Sequence, residues 1–96
     1  MIKASEARAN VLNYESEQYH KVKVAVDEVM TTISEAIEFH SKNGFHTAEF
    51  LPYHKSHFQT IYELQTASEI IETILKENEF EIVRNDWTNN ILKVRW

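Results

Sequence analysis

Between Tyr19 and Ala36 the hydrophobic positions recur in alternating steps of four and three: Tyr19, Val22, Val26, Val29, Ile33 and Ala36. This is the spacing of one face of an α-helix, and Met30 and Ile37 widen the stripe. Residues 5–43 contain no Gly or Pro, and the only Gly of the chain follows at position 44. Ser5 is a plausible N-cap with Glu6 in the first turn, and Asn43-Gly44 supplies a left-handed stop. A single helix over 5–43 would be about 58 Å long at 1.5 Å per residue. A compact chain of this length has a radius of gyration near 13 Å, so the helix is expected to overhang its own body. The overhang falls at the N-terminus, where the stripe thins to Ala4, Ala7, Val11 and Leu12 and then meets Glu15. Residues 1–18 are therefore expected to be either a separate short helix or a protruding helical arm that finds a partner in an oligomer.

The rest of the chain reads as a second helix among short strands. Phe45–Leu51 alternates in a strand-like way, with His46, Ala48 and Phe50 on one side, and ends at Pro52, which suits an edge strand. Ser56-His57-Phe58-Gln59 matches an S-x-x-Q capping box, and the apolar spacing Ile61, Leu64, Ala67, Ile71, Ile74 predicts a helix over 57–78. Two β runs, from Phe80 to Arg84 and from Ile91 to Trp96, flank the polar stretch Asn85–Asn90 and read as a hairpin. In that reading Phe80, Ile82 and Arg84 share one side, as do Leu92, Val94 and Trp96. The expected fold is α+β, one domain over 1–96, in the order α-β-α-β-β. Its three strands form an antiparallel sheet with the helices on one face.

Charge and composition narrow the functional classes. The net charge of −5 is uneven: residues 57–81 carry six Glu against Lys76, while 82–96 carry Arg84, Lys93 and Arg95 against Asp86. Nucleic-acid binders ordinarily present a broad basic footprint, so nucleic acid is an unexpected partner. The absence of Cys removes disulfides, thiolate metal sites and a thiol nucleophile. No apolar run approaches the roughly 20 residues that span a bilayer, and the start MIKASEAR has no hydrophobic signal core, so a cytoplasmic location is expected.

Candidate chemistry is sparse. His54-x-x-His57 with His46 nearby offers two or three imidazoles, but the pair straddles a helix start rather than sharing a helical face, and no metal or other cofactor is expected. Ser56-His57 are adjacent and do not face each other in a helix, and no phosphate loop or nucleophile elbow is present, so an enzyme is not expected. The stronger signal is an aromatic and basic group: Trp87 in a polar turn, Arg84, Lys93 and Arg95, with Tyr53, His54 and His57 at the same end. Such residues are enriched at binding surfaces and suit a protein partner or a small anionic ligand. The long stripe has residues to spare for a second subunit, with Val11, Leu12, Tyr19, Val24, Met30 and Ile37 as the candidate oligomer interface.

The opening Ile2-Lys3-Ala4-Ser5-Glu6-Ala7-Arg8 resembles the I-x-A-x-E-A-R start of many small phage-encoded accessory proteins of unassigned function. The later plan resembles theirs too: a long helix ending in Gly, a second amphipathic helix, and a terminal hairpin closing on Trp. That resemblance implies a phage or prophage protein working in the host cytoplasm, and it carries over no catalytic or binding residue. The expected function is a non-enzymatic binding protein acting as a homo-oligomer, inhibiting or sequestering a host defence protein or a small anionic ligand. The alternative is a winged-helix-like DNA-binding regulator with the 80–96 hairpin as its wing.

Overall fold

A computed structural model describes all 96 residues and has the α+β order expected: α1 (Ala4–Lys42), β1 (Thr47–Phe50), α2 (Ile61–Glu77), β2 (Glu81–Asp86) and β3 (Ile91–Arg95). The sheet is antiparallel in the order β1-β3-β2, so the last strand of the chain lies in the middle. On β3, Leu92 and Val94 are fully buried and turn towards the helices. Ala48 and Phe50 of β1 sit opposite Val94 and Leu92 and join them on that face.

The core is one cluster. Val22, Val26, Val29 and Ile33 of α1 meet Ala67, Ile71 and Leu75 of α2, Leu92 and Val94 of the sheet, and Tyr53 and Phe58 from the connecting loop. Each of these four α1 positions is almost wholly removed from water. Burying an aliphatic side chain of this size contributes about 1.5–3 kcal/mol. The two helices run in the same direction. Tyr62 of α2 lies by Gln18 of α1, Ile74 by Met30 and Ser34, and Asn78 by Ile37. Residues 43–60 carry the chain back along α1 to make that arrangement possible.

Helix ends follow ordinary capping chemistry, with two departures from expectation. The α1 helix begins at Ala4, one residue ahead of the anticipated cap, and Lys3 at its N-cap makes no side-chain bond. Its C-terminus turns through Gly44 at φ +84°, where the Phe45 N–H donates to the His40 carbonyl (3.0 Å). The second departure is in α2, which starts at Ile61 rather than 57. Thr60 and Glu63 form the capping box: the Glu63 N–H donates to Thr60 Oγ1 (3.1 Å), and the Thr60 N–H donates to Glu63 Oε2 (3.1 Å). Ser56 instead lies in a separate turn in which the His57 and Phe58 amides donate to the His54 carbonyl. That turn drives Phe58 into the core, where it is 1% exposed, and a helix continuing from 57 would not allow it.

The β2 strand also departs from simple alternation. Ile82 pairs with Val94 and Arg84 with Lys93, so Val83 is an extra residue on β2. This bulge turns both Val83 and Arg84 outward and brings Asn85 to the inner face opposite Leu92.

The molecule measures 64 × 24 × 20 Å with a radius of gyration of 16.4 Å, well above the roughly 13 Å of a compact chain. The excess length is the N-terminal half of α1, where no residue before Val22 is buried.

The capping assignment has a direct test in chemical unfolding. Thr60→Ala is expected to cost about 1 kcal/mol, the usual loss of a helix cap, whereas Ser56→Ala is expected to change stability little.

Candidate functional site

Two regions offer surface for function: the exposed arm of α1, and a pair of clefts where the 51–60 loop lies against the middle of α1. The first cleft, of about 350 Å³, has an apolar floor of Val29, Ile33, Phe50 and Pro52, with Glu28, Thr32, His54 and His57 around it. The second, of about 310 Å³, lies on the other side of Glu28 and His57 and is more polar, with Lys21, Gln59 and Glu63. His57 Nδ1 stands 3.9 Å from Glu28 Oε2, too long for a hydrogen bond but close enough for an ion pair when the imidazole is protonated.

The loop that forms this wall is held by a buried polar link that the sequence pattern did not reveal. Tyr53 is 4% exposed, and its hydroxyl donates to Asn85 Oδ1, while Asn85 Nδ2 donates to the Ser68 carbonyl (3.2 Å). The Tyr53 N–H donates to Asn90 Oδ1 (2.6 Å), and Asn90 takes the left-handed conformation at φ 53° that Asn tolerates well. Thus the polar run Asn85–Asn90 fixes the 51–60 loop against the hairpin. The only hint of this role in the sequence was the concentration of Asn. Burial pushes the Tyr53 phenol up to about 12, against the opposing hydrogen bonds to Ser68 and Asn85 and with a smaller push from the Glu72 charge.

The aromatic and basic group expected to form one binding surface is dispersed by the fold. Arg84, Lys93 and Arg95 lie on the sheet face turned away from the helices. Arg95 is hydrogen-bonded through two nitrogens to Glu81 across the strand pair, which raises its pKa. Arg84 donates to Asp86 Oδ2 (3.0 Å). Asn89 and Arg84 together hold the Asp86 carboxyl below its usual range, with the Asn89 side chain the larger influence. Lys93 sits in register between Glu49 and Arg84.

Tyr53 belongs to the core rather than to a surface, and Trp87 packs partly against that core. Only His54 and His57 remain together, in the first cleft. His46 is in the approach to β1, where its carbonyl accepts from the Trp96 N–H (2.9 Å), and no three His, Asp or Glu side chains gather as metal ligands. Trp96 meets Phe80 edge to face.

The candidate oligomer residues divide in two. Met30 and Ile37 pack against the protein's own core beside Ile74 and Phe80, so they are not free for a second subunit. Val24 is exposed at the edge of the second cleft. Val11, Leu12 and Tyr19 are exposed on the arm, together with Tyr14. Ala4, Ala7, Arg8, Val11, Glu15 and Gln18 continue, in steps of three and four, the same helix face that is buried from Val22 onward. Leu12 and Tyr19 flank this face on one side and Tyr14 on the other. At its inner end is a cavity of about 370 Å³ between Val11, Tyr14, Glu15 and Gln18 of α1 and Thr60 and Tyr62 at the start of α2.

No helix of the protein is long and apolar enough to cross a membrane. Compared with protein-family models, curated proteins and solved structures, the chain shows no significant match.

The Tyr53 link predicts a pH response. The folded-state pKa lies above the ordinary value near 10, so the stabilisation is complete below pH 10 and is lost as pH rises towards about 12. In an alkaline titration followed at the tyrosinate absorbance, one of the four tyrosines is expected to ionise late, and Tyr53→Phe is expected to remove that late component. The same variant is expected to cost about 1–3 kcal/mol in urea unfolding, because it leaves Asn85 Oδ1 without its donor.

Proposed function

We propose that this protein is a non-enzymatic binding protein that works as a homo-oligomer, with the overhanging half of α1 as its assembly surface. One observation carries the proposal. The face of α1 that is buried from Val22 to Ile33 continues to Ala4, and along that extension the chain approaches it only at the inner end, where Thr60 and Tyr62 stand across a cavity, and buries none of it. Val11, Leu12 and Tyr14 there are 55%, 65% and 63% exposed.

Two physical arguments favour a second copy as the cover. An isolated helical segment of about 15 residues is marginal in water, and this one lacks a side-chain N-cap, so packing against a partner would stabilise it. The domain also has a small core, and small domains gain most from association. A small anionic ligand is the weaker candidate partner, because Arg84 and Arg95 are each already engaged by a carboxylate. A DNA-binding wing is disfavoured as well, since β3 of the hairpin is the central strand of the sheet and does not project from it. In this proposal the accessory role implied by the resemblance to phage-encoded proteins is exercised by binding, with the assembled protein directed at a host protein.

Light scattering coupled to size exclusion tests the proposal. The full chain is expected at a multiple of 11.3 kDa, and a variant lacking residues 1–18 is expected as a monomer with its fold intact. A full-length chain that stays monomeric at hundreds of micromolar would overturn it.

A further inference from the structure

The geometry points to a specific occupant and register for the exposed arm: a second copy of this chain, its arm antiparallel, about a twofold axis that passes between Val11 and Leu12. This rests on the proposal that the arm is the assembly surface and adds how the two copies recognise each other.

The argument begins with two charges in an unusual place. Arg8 and Glu15 lie on the same helix face as Val11 and the buried valines, rather than on the solvent side. Neither has an opposite charge within reach in its own chain. The ion pairs of the molecule involve other residues, and positions three and four away from Arg8 are Ala4, Ser5, Val11 and Leu12. The same holds for Glu15, whose neighbours at that spacing are Val11, Leu12, Gln18 and Tyr19. In an antiparallel pair with the twofold at this point, Arg8 faces Glu15 of the partner subunit, and the symmetry repeats the contact. A parallel pair in register would instead set Arg8 against Arg8 and Glu15 against Glu15, which is unfavourable.

The apolar side chains agree with that register. Leu12 meets its own copy on one flank of the face and Val11 its own copy on the other. Large side chains fall opposite small ones: Tyr14 by Ala7, and Tyr19 by Ala4. The N-terminal tip of each arm reaches the level of Gln18 on the other, where the cavity before α2 is lined by Thr60 and Tyr62. The half-exposed side chains Ile2, Val11, Leu12, Tyr14, Tyr19 and Tyr62 together offer on the order of the 800 Å² per partner that a standard interface buries. The two bodies lie at opposite ends of the paired arms.

Charge reversal tests the register. Arg8→Glu and Glu15→Arg are each expected to weaken self-association about tenfold in sedimentation equilibrium, because each places two like charges opposite each other twice per dimer. The equimolar mixture of the two variants is expected to regain wild-type affinity as heterodimers, visible as the mixed mass in native mass spectrometry. The double variant Arg8→Glu/Glu15→Arg is expected to recover it alone. Both positions are exposed, so far-UV circular dichroism is expected to stay unchanged. If the wild type associates but neither reversal weakens it and the mixture gains nothing, this register is wrong while assembly through the arm survives. If the wild type does not associate at all, both proposals fall.

Discussion

The packing of Val22, Val26, Val29 and Ile33 into the sheet and α2 is the contact on which the other parts of the molecule depend. These four positions on one face make α1 the common wall against which the rest of the chain is laid. The α2 helix lies beside it in the same direction, β3 presents Leu92 and Val94, and the 51–60 loop delivers Tyr53 and Phe58. Only the second half of α1 takes part. A helix of 39 residues is therefore anchored by four buried side chains on one half, and its other half continues the same spacing with no buried residue. That asymmetry is the physical basis of the functional proposal.

A second tier of structure secures the wall opposite α1. The bulge at Val83 turns Asn85 inward, Asn85 takes the Tyr53 hydroxyl, and Asn90 takes the Tyr53 amide. Without the bulge, strict alternation would place Asn85 on the outer face and leave a buried phenol without its acceptor, which is costly. The polar turn is thus a structural clamp, and the clefts around Glu28 and His57 exist because the clamp holds the loop in place.

Much of the fold was legible because its signals are periodic and its breakers are few. The three- and four-residue spacing of α1, the single Gly at 44, the single Pro at 52 and the alternation of Ile91–Trp96 each point to one element type. Where two local signals competed, the pattern misled. Ser56-x-x-Gln59 and Thr60-x-x-Glu63 both match the capping-box pattern, and only the second forms one, with Phe58 of the intervening turn buried in the core. A bulge leaves little mark in sequence, so simple alternation puts Arg84 on the same side as Ile82, and it gives no sign that Asn85 turns inward to meet Tyr53. The sheet does bring Arg84, Lys93 and Arg95 to one outer face, but it also places Asp86 against Arg84 and Glu81 against Arg95, which the sequence spacing did not show. Met30 and Ile37 could not be assigned to the protein's own core until α2 was known to run parallel to α1. The overhang, by contrast, was readable from the length of the uninterrupted helix against the size of the chain, and from the apolar stripe thinning to Ala4, Ala7, Val11 and Leu12 before Glu15.

An interspin distance measures the arm-to-arm arrangement most directly. The chain has no Cys, so a single label can be introduced by Asp27→Cys, at an exposed position in the half of α1 that lies over the body. Antiparallel arms about a midpoint near Leu12 place the two labels about 50 Å apart, from the 1.5 Å rise per residue along each helix. A distribution centred there is the predicted result in double electron–electron resonance. A distance below roughly 30 Å, as side-by-side parallel helices would give, or no dipolar modulation at all, would contradict it.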